Sequence, residues 1–586
     1  MKGVFSDILL ELGPALIDDS PTRSGPWTLA QVSTNGRLRT SQPATAVSFI
    51  ETVTGRHWTV WVVGEIEQYG SLSASTQSCL REFERDLSGG KVRPDTLSGR
   101  FLIIGWCHAD DKWAIWTDRV GSIHAYKVAR SGRTVVGTFS ASVYQYSARR
   151  LDWPALGGFF SLGFFTGGST YYDDCCLLRP ATCYEFSAAG GLLRETVYWS
   201  WTHRPDRGRS EPDTIAEFGE TFGSAVSRSL SSGRVVLPLS GGLDSRTVAA
   251  CMPREMRVPC YGYGYHKDST EIRIARQVAD VVGQPFHAHV IGPYLFDRLP
   301  EVLDAVEGFQ DLTQSRQADI SNWLLANADY VAGAHWGDVL CDSMGMGEDT
   351  PVETAFDQLF GKLEKRGSAW LLDHICLPQM NGFVAEKVVR ARIRNEFDRF
   401  TGISDADFRA KAVKTSQWAF RWTLPSIRMY QVGAVPRLPF LSSSVIEFFC
   451  TVPTEMLKGR RLQIEYLKNF APALAQVRWQ AYDSDLFHYH HFHTWQLPRR
   501  VWKKLERLLD SRPRISRNWE VQFRSPGMME RLRSSILDSN SAARHYAPIR
   551  ELRALLDEFE RRPTGANGYT ISMLYTFCAW VSRFHQ

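Results

Sequence analysis

The segment Leu237-Pro-Leu-Ser240-Gly-Gly-Leu-Asp-Ser245-Arg246 gathers the residue types that handle phosphate. Gly241 and Gly242 carry no Cβ, so backbone N–H groups there can approach phosphate oxygens. Ser240 and Ser245 supply hydroxyl donors, and Leu243 completes the loop. A helix opening directly after the loop adds free N–H donors and about half a positive charge. Asp244 suits a phosphate site only with a divalent cation between them, which makes it a Mg²⁺ ligand. The bland alternative is a Gly-Gly turn with a Ser/Asp helix cap. All six positions together, in strand–loop–helix context, favour nucleotide binding. No Gly-Lys-Ser/Thr follows, so this is not a Walker loop.

The flanking elements must hold that loop. The apolar run Arg234–Leu239 reads as a strand, preceded by an amphipathic helix from Thr214. A second strand is expected over 257–265 and a third over 286–291. Between them Asp268, with Glu271 three residues on, resembles a capping box, and Gly283 suits the helix stop. Strand–helix–strand–helix–strand order predicts a parallel α/β sheet with right-handed crossovers. The first third is different. Segments 57–64, 101–107, 113–118 and 134–140 are short and rich in β-branched and aromatic residues, which predicts stacked antiparallel sheet. Residues 180–199 read as a hairpin turning at Ala188-Ala-Gly-Gly, and the polar stretch 200–212 reads as a linker. Beyond residue 300 the pattern is mostly helical, and the chain shows no repeats.

Composition narrows the class. The 586 residues are 44% hydrophobic and 22% charged, ordinary for a globular chain. At about 100–200 residues per domain, that length predicts two to four domains. The net charge of +5 comes from scattered Lys and Arg, so no nucleic-acid footprint is expected. Eleven cysteines without a C-x-x-C pair argue against a thiol zinc cluster and fit free thiols in a reducing cytoplasm. The start lacks a signal-peptide pattern, and no stretch reaches about 18 uninterrupted apolar residues.

With Ser240-Gly-Gly-Leu-Asp-Ser245 as its centre, the sequence resembles the asparagine-synthetase superfamily, which includes β-lactam and lasso-peptide macrolactam synthetases. Val63-Gly64-Glu65-Ile66, Asp118-Arg119-Val120-Gly121 with Tyr126, Gly157–Gly163 and Leu178-Arg-Pro180 look like segments of that group's glutaminase domain. The resemblance implies an Ntn-like αββα sandwich over 1–203 and an α/β ATP-pyrophosphatase domain with helical additions over 204–586. Gly333-Ala-His-Trp-Gly337-Asp338 resembles the family's S-G-x-G-x-D element, which makes Asp338 the second Mg²⁺ carboxylate beside Asp244. His335 then falls near the reacting acyl group, either as a general base for the incoming amine or as a loop histidine bound to backbone. Pro436–Leu441 resembles the R-x-P-F-L-D element, with Ser442 for Asp; Arg437 faces the intermediate or braces helices.

Two departures stand out. Family glutaminases use a Cys exposed as the first residue after Met; here position 2 is Lys and the nearest Cys is Cys79. The resemblance therefore implies a glutaminase-like domain without glutaminase activity. The family's R-x-K element appears here as Arg478-Trp479-Gln480, with Gln in place of Lys. Arg478 or Lys468 is the candidate substitute cation. The whole implies an ATP- and Mg²⁺-dependent, AMP-forming ligase joining a substrate carboxylate to an amine or ammonia, including lasso-type or β-lactam-type cyclisation. The competing readings are an ammonia-dependent asparagine synthetase, amidation of an acidic sugar, and a non-catalytic nucleotide-binding scaffold. Two other features carry weaker expectations. His488-Tyr-His490-His491-Phe-His493 with Asp485 reads as a polar aromatic segment before a metal site, and the basic tract 497–514 reads as a solvated helix before an anionic docking face.

Overall fold

A computed structural model describes residues 7–13, 28–33, 36–41, 49–380, 385–493, 515 and 517–585. Lys2, the basic tract 497–514 and the side chain of His493 lie outside the described residues. The N-terminal strands are β1 (Asp7–Leu12), β2 (Thr28–Val32), β3 (Gly36–Ser41), β4 (Ile50–Thr54), β5 (Trp58–Gln68), β6 (Ser98–Cys107), β7 (Lys112–Thr117), β8 (Tyr126–Arg130), β9 (Arg133–Gly137), β10 (Cys175–Leu177), β11 (Thr182–Phe186) and β12 (Leu192–Val197). They build two six-stranded sheets, ordered β10-β8-β9-β1-β3-β2 and β12-β11-β7-β6-β5-β4. The expected hairpin at 180–199 is the antiparallel pair β11–β12.

Period-two alternation explains the layering. Along β5, Trp61 and Val63 enter the core between the sheets, with Leu10, Leu102, Ile104 and Trp113. The intervening Val60 and Val62 enter the opposite core, under helix α1 (Thr76–Ser88), with Leu80 and Phe83. Both faces of β5, β6 and β7 are buried, so these central strands read as near-continuous apolar runs, whereas the edge strand β12 is exposed. Helices α2 (Ser140–Tyr144) and α3 (Trp153–Leu162) join the large core that holds Tyr126, Val128 and Val135. The result is a four-layer α/β/β/α arrangement.

The second half begins with helix α4 (Glu211–Leu230) and strand β13 (Val235–Pro238), followed by α5 (Asp244–Ala250), β14 (Cys260–Gly264), α6 (Thr270–Val281) and β15 (Phe286–Val290). Helices α7 (Leu299–Val306) and α8 (Gln317–Asn327) lead to β16 (Tyr330–Ala332), the short helix α9 (Gly337–Leu340) and, much later, β17 (Val435–Arg437). These five strands form one sheet, β15-β14-β13-β16-β17, with every pair parallel. Strand order reverses between β14-β13 and β16, which opens a crevice at the carboxyl ends of β13 and β16.

Two expectations are corrected. Helix α6 is capped by Ser269, whose side chain accepts from Ile272 N–H; Asp268 lies one residue before the cap. Ser269 holds the extended backbone that a cap requires. The stretch 200–212 is no free linker. His203 stacks on Phe408 at 4.0 Å, and Arg204 and Asp206 donate to the carbonyls of Cys450 and Thr451. A polar segment ties down when its backbone groups find partners, which composition does not reveal.

Candidate active site

The buried strand β13 delivers the Ser240–Ser245 loop to the crevice, and β16 delivers Gly333–Asp338 beside it. The loop holds its shape through its own serines. The Ser240 N–H donates to Ser245 Oγ at 3.1 Å, the two hydroxyls lie 3.2 Å apart, and the Gly242 N–H donates to Ser240 Oγ at 3.2 Å. Gly241 is required by its neighbour: a Cβ there would sit 2.3 Å from Gln480 Oε1. The Gln480 N–H also donates to the Gly241 carbonyl at 3.1 Å.

Asp244 opens α5 and meets the start of α9. A Cβ on Gly337 would come within 2.5 Å of Asp244 Cγ, so the absent side chain is what lets this carboxylate approach. Burial pushes the Asp244 carboxyl above its ordinary value; the Arg460 guanidinium opposes that and the Asp338 charge reinforces it. Asp244 and the neighbouring Asp338 are a hard-oxygen donor set of the kind Mg²⁺ takes.

Arg460 is the residue that sequence reasoning missed. Its guanidinium donates to Asp244 Oδ1 at 2.7 Å and lies 3.8 Å from Asp342 Oδ2. Gln463 donates to the same Asp244 oxygen at 3.2 Å. The preceding backbone turns sharply, with φ of 63° at Gly459 and 64° at Arg460, before the helix Arg461–Phe470. Only that Gly-Arg pair ahead of an amphipathic helix signals it in sequence, and such a pair is unspecific.

The other candidate cations pair with residues outside the loop. Arg478 pairs with Asp483. Lys468 bonds Glu465 at 2.9 Å and lies 5.9 Å from the rings of Phe487 and Tyr489. None of these partners belongs to the loop. The 474–478 backbone is nonetheless anchored to the site, because buried Arg246 donates to the carbonyls of Leu474, Val477 and Arg478. Burial lowers the Arg246 guanidinium to about 10.

His335 stands between β16 and α9. Its ring meets Tyr430 edge-on at 5.6 Å, and its Nδ1 is buried without a hydrogen-bond partner. Burial lowers it to about 4, against a raising influence from Asp338, so His335 is a neutral acceptor at neutral pH. The next residue, Trp336, holds φ of 78°, a left-handed backbone that glycine adopts more readily. In the S-G-x-G-x-D pattern a glycine would fall there; here it is displaced to Gly337. Arg437 braces rather than faces the crevice. It forks onto Glu65 at 2.7 and 3.1 Å and stacks 3.4 Å over Tyr330. Cys79 is buried under the sandwich, and burial raises its thiol above the ordinary value. Asp485 accepts from His488 Nδ1 at 2.8 Å, and among the described residues no group of three or more metal-ligating side chains gathers. No helix among them is long and apolar enough to cross a membrane.

Residues 217–329, from α4 to the edge of β16, match the asparagine synthase family model. No curated protein matches the chain. Among solved structures, the glutamine phosphoribosylpyrophosphate amidotransferase from B. subtilis, complexed with ADP and GMP, is 10% identical at a TM-score of 0.20, covering 49% of this chain and 60% of its own. A structure described as the allosteric regulatory enzyme of purine biosynthesis is 10% identical at 0.23, covering 50% and 76%. The chain thus spans less than two thirds of the first of these.

Proposed function

We propose, from the match of residues 217–329 to the asparagine synthase family model, that the chain is an ATP-dependent, AMP-forming ligase that joins a carboxylate to an amine. The observation that carries this is the packing of Asp244 against Gly337, beside Asp338 whose charge it feels, at the reversal of strand order. Ser240, Gly241, Gly242, Leu243 and Ser245 would hold the pyrophosphate through N–H and O–H donors. Asp244 and Asp338 would hold Mg²⁺, which when bound neutralises phosphate charge.

The substrate carboxylate oxygen attacks the α-phosphorus and pyrophosphate leaves; the amine then displaces AMP to form the amide. Arg460, fixed at Asp244, supplies the nearby cation that Gln480 cannot. His335, kept neutral and weakly basic by burial, would orient the attacking amine as an acceptor, and the amine's proton leaves to the departing AMP phosphate or to water. Cys79 is buried and offers no exposed thiolate, and the amine comes from outside or from the substrate itself. An amine on the substrate itself would give a lasso-type macrolactam or a β-lactam.

The test is Mg²⁺-dependent ATP binding by calorimetry. Wild type should bind and Asp244→Ala should lose at least 100-fold in affinity, followed by pyrophosphate release on adding the acid. A folded wild type that does not bind ATP leaves a scaffold and ends the ligase reading.

A further inference from the structure

Helix α9 is a single turn, Gly337–Leu340, and that turn carries Asp338. One turn fixes several backbone angles for a single hydrogen bond, so it does not stand without outside support. Its own bond runs from the Cys341 N–H to the Gly337 carbonyl at 2.8 Å. The support comes from the helix Ala406–Lys414. Lys411 is buried and donates from Nζ to the Leu340 carbonyl at 3.0 Å. Carbonyls at a helix end lack an intrahelical partner, and this one is held from outside.

One turn before Lys411, on the same face of its helix, Asp407 is also buried. Its two oxygens accept from the Met344 and Met346 N–H groups, each at 2.8 Å. Between these anchors lies Asp342, whose Oδ2 stands 3.8 Å from Arg460 Nε. The same guanidinium donates to Asp244. Buried charges are costly to desolvate and contribute little net stability even when paired. What these two fix is position: one carbonyl and two N–H groups of the segment 340–346. Their helix is fixed at its own start as well. Asp405 accepts from the Phe408 N–H at 3.0 Å and from the Thr454 hydroxyl at 2.6 Å. His203, on the chain leaving the sandwich, stacks on Phe408.

We propose that Lys411 and Asp407 are positioning residues for Mg²⁺-ATP binding. From one helix they hold the segment 340–346. Through it they place Asp338, just before the segment, and the Asp342 carboxylate that Arg460 approaches. A site that must hold its ligating groups within about 0.5 Å needs such a support. The role rests on the ligase reading, because it takes Asp338 as a Mg²⁺ ligand.

ATP is titrated by calorimetry into the full-length chain, once with Mg²⁺ and once with EDTA. Lys411→Met and Asp407→Asn should weaken binding at least 10-fold in Mg²⁺ and less than threefold in EDTA, since neither bonds the Ser240–Ser245 loop. Asp407→Asn keeps the side chain's shape and one acceptor oxygen, so it decides the matter if Lys411→Met does not fold. Arg409→Met is the control, on the same helix, where Arg409 donates to the Phe397 carbonyl at 3.1 Å. It should lower stability in urea and leave Mg²⁺-ATP affinity within twofold. Amide exchange over 340–346 should quicken at least 10-fold in the first two variants and not in the control. Mg²⁺-ATP binding that survives in both variants overturns the proposal and leaves the ligase reading intact. So does an equal loss in EDTA or in Arg409→Met, which marks general damage to the helix. A folded wild type that binds no ATP sinks the ligase reading, and the positioning role with it.

Discussion

At the scale of single residues, Asp244 and His335 are both held where water would have favoured the charged form, and each is shifted towards neutrality. For His335 the consequence for stability has a definite sign. Its folded value, about 4, lies below the ordinary 6.5, so the unfolded chain takes the proton first. The stability that neutral His335 contributes is complete above pH 6.5 and drains away as pH falls towards 4. His335→Gln should therefore flatten the acid limb of the stability curve. In urea unfolding between pH 7 and pH 4.5, wild type should lose about 2 kcal/mol more than the variant. Parallel losses in the two proteins would show that the imidazole is not held neutral. The loop serines were legible because their chemistry is local: Ser240 and Ser245 bond each other within five residues. Arg460 was not, because 216 residues separate it from Asp244.

At the scale of elements, what matters is which segments the loop rests against. Arg246, one turn into α5, fastens three carbonyls of the 474–478 segment, and that segment lays Gln480 over Gly241. Arg246→Met keeps the side-chain bulk and strands those carbonyls in the interior. It should cost about 3 kcal/mol and speed amide exchange at Gln480, whose N–H bonds the Gly241 carbonyl. Unchanged exchange there would mean that the segment is held by other contacts. The strand–helix succession 234–291 was readable from periodicity, since each element buries its own apolar face. The α6 cap moved from Asp268 to Ser269 because the choice between adjacent polar residues depends on backbone angles that sequence does not carry.

At the scale of the whole molecule, the sandwich and the parallel-sheet half are joined through charge and through aromatic stacking. Glu65 and Arg437 form a forked pair 372 residues apart, and Tyr171 stacks on Trp580 of the last helix at 3.7 Å. A double-mutant cycle with Glu65→Gln and Arg437→Met should give a coupling of about 1–2 kcal/mol in unfolding, with ATP affinity changed less than about twofold. Additive effects would remove the pair as a latch, and a large loss of ATP affinity would return Arg437 to the crevice.

The sequence by itself determined what depends on neighbours along the chain. Gly241, Gly242 and Asp244 mark the strand–loop–helix turn proposed to hold phosphate, the 234–291 pattern declares a parallel sheet, and the β-branched and aromatic segments of the first third declare stacked antiparallel sheet. The tertiary structure alone decided which cation meets Asp244, that Gly337 makes room for it, that Arg437 braces Glu65, and that Lys411 and Asp407 hold the segment that follows Asp338. Those facts depend on chain segments that packing brings together, and a side chain's type does not encode which distant partner it will meet.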